Sequence, residues 1–167
     1  MDGKTSAILI STLLLATPVA AEPPVLPGTE SRASLSVVFD RALRRATEKL
    51  EAPTCHLVLR DFRDTAGRTL AEKLSATGLS APEFLARLEF RDGRNEEPCH
   101  RRHVDAFTSV GGSTVWACPG GSLWLGGDNS RSGANALIHE MLHALGLAEN
   151  PPTSGEITQR VRERCGL

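Results

Sequence analysis

The chain has no tyrosine, and aromatic residues make up only 4% of it. A phenolic proton donor is therefore excluded from any site the chain builds. Charge of a dominant sign is also missing: 19 Lys and Arg stand against 20 Asp and Glu, for a formal net charge of −1. That balance argues against a nucleic-acid partner, which calls for a basic patch. Methionine is scarce, two in 167 residues, and none follows Met141. No two of the four cysteines have C-x-x-C spacing, which weakens any metal–thiolate reading. Past the N-terminal stretch, no apolar run approaches the about 20 residues that span a bilayer.

The one apolar run that is present lies between Ser6 and Ala20, behind Lys4, and is short for a bilayer span. Val19 and Ala21 are small residues at the −3 and −1 positions before Glu22. This pattern predicts a signal peptide over 1–21, cut after Ala21, and a secreted or periplasmic protein with no membrane segment after cleavage. Export permits disulfides, and four cysteines allow two bridges in three pairings. The expected pairing is Cys55–Cys99 with Cys118–Cys165. Residues 22–32, which include EPPVLPGTE, read as a flexible Pro-rich leader. Residues 33–167 form the expected domain, large enough for one core.

Within it, Val38, Ala42, Ala46 and Leu50 recur every four residues and predict a helix over about 34–50. Cys55, Leu57 and Leu59 alternate, which predicts a strand over 55–62. Short helices are expected at 67–74 and at 81–90, the second opened by a Ser80–Glu83 capping box. Residues 91–102 read as a charged loop, and strands are expected near 103–110 and 113–118, joined at Gly111–Gly112. A helix from about Ser132 carries Leu137, Met141 and Leu145 on one stripe. A terminal helix starts near Thr153, which pairs with Glu156 as a second capping box. The order predicts a small α+β domain: a short mixed or antiparallel sheet, a long helix bearing the candidate site, and a C-terminal helix.

The 136–152 stretch, ALIHEMLHALGLAENPP, holds the chemistry. Residues four apart share a helix face, so His139 and His143 can offer two imidazoles to one metal. Glu140 projects beside them, where a carboxylate can act as general base on a water. Gly146 follows three residues after His143, and Glu149 three after that. The stretch H-E-x-x-H-x-x-G-x-x-E resembles the long metzincin signature, H-E-x-x-H-x-x-G-x-x-H. The resemblance covers these 11 residues and implies a zincin-type zinc metallopeptidase acting on a peptide or protein substrate. It further implies that the chain turns at Gly146 so that Glu149 returns as third ligand beside His139 and His143, with Glu140 catalytic.

Two departures qualify the resemblance. The third ligand is Glu rather than His, a set that catalytic zinc accepts. The Met-turn is absent, and Ile157 and Val161 are the candidates for a substitute floor under the metal. Glu156, His100 and His103 compete with Glu149 as ligand, whereas His56 reads as structural and Asp128 as a turn residue. No tyrosine is available to stabilise an oxyanion; His100, His103 or an arginine can assist the metal. Ser113 to Cys118 is the candidate edge strand for a substrate, and Trp116 and Trp124 read as core. The alternatives are a secreted, non-catalytic domain that binds zinc or a partner, and a metal-free domain held by its disulfides.

Overall fold

The computed structural model describes residues 37–123 and 130–167. The signal peptide, the leader, Trp124 and Asp128 lie outside these residues. The described chain is a small α+β domain. Its elements in order are α1 (Val37–Glu51), α2 (Pro53–His56), α3 (Val58–Asp61), α4 (Leu70–Ala76), α5 (Ala81–Arg87) and β1 (Glu89–Asp92). A 3₁₀ turn (Glu97–His100), β2 (Ala106–Thr108), β3 (Thr114–Ala117), α6 (Ser130–Ala144) and α7 (Ser154–Cys165) follow. Among the described residues no helix is long and apolar enough to cross a membrane.

Helices α1 and α6 pack side by side as the centre of the domain. Helix α1 buries Phe39, Ala42, Ala46 and Leu50, so Phe39 takes the place expected of Val38. The Phe39 ring meets Phe90 of β1 edge-on, with centroids 5.0 Å apart. On α6, a Cβ at Gly133 would stand 2.7 Å from the Ala42 Cβ, so the absence of a side chain permits the close approach. Small residues on both helices set the distance at which Leu137, Ile138, Met141 and Leu142 fill the core.

The strand expected over 55–62 is instead the pair α2 and α3. Cys55, Val58 and Leu59 are buried while Leu57 is exposed, which is helical spacing and not alternation. Pro53 sits in the first turn of α2, where its missing N–H costs nothing. His56 Nε2 bonds the Leu50 carbonyl at 2.6 Å, in keeping with its structural reading. Capping boxes open α4 (Thr69–Glu72), α5 (Ser80–Glu83) and α7 (Thr153–Glu156); the first was not anticipated. Helix α5 ends earlier than expected, because Leu88 is already extended and Glu89–Asp92 enter the sheet.

The sheet order is β1-β3-β2, with β1 parallel and β2 antiparallel to β3. Thr114–Ala117 is thus the central strand, which corrects the expectation that 113–118 forms an edge. The edge beside α6 is β2. Trp116 is half-buried on the outer sheet face rather than in the core, stacked on Phe107 and covered by Arg91.

The disulfides also differ from the expected pairing: they join Cys55 to Cys165 and Cys99 to Cys118. Because Cys55 lies on a helix, it faces the end of α7 rather than the charged loop. Cys99, on the 3₁₀ turn, is brought to the end of β3 by the Gly93 amide bonding the Ala117 carbonyl. Two bridges and no free cysteine suit an oxidising, extracytoplasmic compartment.

Candidate metal centre

His139, Glu140 and His143 sit in the last two turns of α6, almost wholly buried at 5%, 6% and 6% exposure. The helix ends immediately afterwards. Gly146 has φ +112, a conformation that L side chains rarely adopt, and its N–H returns to the His143 carbonyl. A Cβ there would also press on Asp64, 3.2 Å away. This turn brings Glu149 back over the helix. Glu149 Oε1 lies 3.6 Å from His139 Nε2 and 3.3 Å from His143 Nε2, and the two Nε2 atoms are 2.9 Å apart. His139, His143 and Glu149 form a group that could hold a metal ion, the arrangement expected from the sequence.

The triangle suits a tetrahedral ion. Ligand atoms about 2.0–2.1 Å from such an ion stand about 3.3–3.4 Å from one another. The observed edges of 2.9, 3.3 and 3.6 Å bracket that separation. The protonation pattern agrees. His143 Nδ1 lies 2.8 Å from the Leu147 carbonyl, which only accepts, so Nδ1 carries the proton and Nε2 presents its lone pair to the centre. His139 Nδ1 lies 3.0 Å from Thr158 Oγ1, which holds the plane of the second ring. Two imidazole nitrogens and a carboxylate oxygen converging on one point make a donor set that could hold a cation. Burial, reinforced by the neighbouring His143, lowers the His139 pKa to about 4, so its ring is neutral and ready to ligate at neutral pH.

Glu140 stands beside this group without belonging to it. Its carboxylate accepts the Thr108 backbone N–H from β2, while Oε2 is buried with no hydrogen-bond partner. Burial first, and the charge of Glu149 second, raise its pKa to about 8. A buried carboxyl with one uncommitted oxygen can exchange a proton with a group in the cleft.

The cleft above these residues has a volume of about 780 Å³. Ala106, Phe107 and Thr108 of β2 form one wall, α6 the floor, and Ser154, Thr158 and Arg162 of α7 the opposite wall. The Gly111 amide bonds the His143 carbonyl at 2.9 Å and fixes the loop after β2 to the end of α6.

The competing ligands fall elsewhere. Glu156 is committed to its capping box. His100 closes the 3₁₀ turn, and His103 lines the cleft outside the metal group. Ile157 and Val161 face the hydrophobic core, so the floor imagined for them under the metal is not where they lie. Helix α7 meets the group through Thr158 instead, a residue that no sequence signal marked. Its one visible clue is position: it follows buried Ile157 by one residue and so sits at the border of the apolar face.

Comparison with family models, with curated proteins and with solved structures finds no match to this chain.

Proposed function

We propose that the protein is an exported zinc-dependent peptidase of the zincin type. The observation that carries the reading is the near-equilateral group of His139, His143 and Glu149 with the uncommitted carboxyl of Glu140 beside it. Zinc bound by those three residues supplies Lewis acidity and a more acidic water. Glu140, ionised beside a bound cation, takes a proton from the attacking water as its oxygen bonds to the scissile carbonyl carbon. The same carboxyl then delivers that proton to the leaving nitrogen as the C–N bond breaks. The Thr108 N–H keeps Glu140 turned toward the cleft throughout. Among the described residues the outer side of β2 pairs with no other strand, and an extended peptide adding there would hold its backbone by main-chain hydrogen bonds.

Zinc content and peptide hydrolysis test the reading together. The purified protein is expected to carry about one zinc per chain. Glu149→Ala should lose it or hold it far more weakly, and Glu140→Gln should keep it while hydrolysis disappears. A folded, zinc-supplemented protein without bound zinc would sink the proposal. Normal zinc with hydrolysis unaffected in Glu140→Gln would leave a metal-binding domain in which Glu140 has no catalytic part.

A further inference from the structure

The cleft has a second polar cluster on the side away from Glu140. Ser154, Thr158 and Arg162 are four residues apart on α7 and all line the cleft, while Ile157, Val161 and Cys165 fill the adjoining, buried face. Thr158 is spent on His139, and its carbonyl accepts the Asn135 Nδ2 at 3.1 Å. Asn135 stands one turn before His139 on α6, lines the same cleft and is only 4% exposed. Its Oδ1 is buried without a partner. A buried amide oxygen left unsatisfied is costly, so it is a place where a ligand N–H or O–H gains by binding.

Arg162 supplies the complementary donor. Its neighbours on the helix are engaged: Arg164 holds Asp61, and Arg160 lies between Asp61 and Glu163. Arg101, the other arginine at the cleft, is paired with Glu97. Among the described residues the Arg162 guanidinium has no carboxylate partner. A position near the end of α7 accounts for a positive charge there, because it complements the helix dipole, but not for a turn toward the cleft. The Thr158 carbonyl that Asn135 meets is also the one that an α-helix gives to the residue four later, Arg162. Asn135 thus meets α7 one turn before Arg162, and both residues line the cleft, one offering an acceptor and the other a planar cationic fork.

We propose that Arg162 and Asn135 form a subsite for a ligand carboxylate, Arg162 pairing with the acid and Asn135 Oδ1 accepting an N–H of the same ligand residue. The peptides taken up by the cleft are then acidic, through an Asp or Glu side chain or through a free C-terminus. As a substrate preference this rests on the peptidase reading; as a binding site it does not.

The test is calorimetric titration of zinc-loaded Glu140→Gln protein, which spares the peptide, with four alanine-based hexapeptides. One is blocked at both ends, one is blocked with a single Gln, one is blocked with Glu in place of that Gln, and one has a free C-terminus. At least one acid-bearing peptide should bind about tenfold or more tightly than its neutral counterpart, the size of a charge-assisted hydrogen-bonded pair. Preference for the Glu peptide assigns the side chain, and preference for the free acid assigns the chain end. Arg162→Gln, an exposed change, should erase that preference and leave the neutral peptides unaffected. Equal affinities, no binding at millimolar peptide, or a preference that survives Arg162→Gln would each overturn the subsite. If the parent protein cleaves none of these peptides while the Arg162-dependent preference holds, the peptidase reading fails and the carboxylate site stands.

Discussion

Thr158 reaches across from a separate helix to hold the imidazole of His139. Its contribution is orientation, so Thr158→Val should leave the fold intact and weaken zinc binding by about 10–100-fold, measured by competition with a chelator. An unchanged affinity would mean that the hydrogen bond does not steer the ring. Glu140 gives a pH test in the metal-free protein. Its folded pKa, about 8, lies above the ordinary 4.5, so between those values the folded state binds more protons and stability from this group falls as pH rises. His139 works in the opposite sense. With a folded pKa of about 4 against 6.5, it costs stability as pH drops through that window. Metal-free Glu140→Gln should therefore gain on the parent steadily from pH 5 to pH 8, read from urea midpoints at each pH. A constant difference would show that Glu140 is ionised throughout. At this scale the sequence is a good guide to the group of His139, His143 and Glu149, because the two histidines are tied by helical spacing and Gly146 announces its own turn. Thr158 and Asn135 were not legible, since both depend on how α6 meets α7.

Among the elements, the segment from Ala144 to Glu149 sets the geometry. Gly146 is required there twice over, by φ +112 and by the 3.2 Å approach to Asp64. Gly146→Ala should cost about 1–3 kcal/mol of stability, the usual range for forced backbone strain. It should also weaken zinc binding, because Glu149 is displaced from the two imidazoles. Stability lost with zinc affinity retained would show that Glu149 reaches the group by another path. Alternating Cys55, Leu57 and Leu59 mimicked a strand, but burial of Val58 and exposure of Leu57 show that the tertiary environment selected a helical face. The 88–92 stretch was assigned to helix and loop, although Leu88 and Phe90 alternate with Glu89 and Arg91; a strand of four residues is too short to outweigh a preceding capping box. The central place of β3 was beyond sequence reading, since strand order is a property of the assembled sheet.

Across the whole molecule, the Cys55–Cys165 bridge spans 110 positions and joins the start of the helical layer to its last helix. Closing a loop of that length stabilises a fold by about 4–5 kcal/mol where native geometry is unstrained. Replacing both cysteines with serine should lower the denaturation midpoint accordingly, and zinc should recover part of the loss by binding the folded state. A double variant as stable as the parent would show that α7 docks through Ile157 and Val161 alone. The sequence announced four cysteines and two bridges, yet their partners could be named only after Cys55 was known to lie on a helix.

That bridge also imposes an order of events. Helix α7 brings Thr158 to His139 and Arg162 to the cleft, and it is fastened at Cys165. In a chain whose thiols are still reduced, the wall that α7 provides is untethered and the first imidazole lacks its guide. Oxidation at Cys165 then favours docking of the final helix, and docking favours capture of an ion by the group it completes. If the protein is the exported hydrolase proposed above, it stays dormant where it is made and awakens only after it has left.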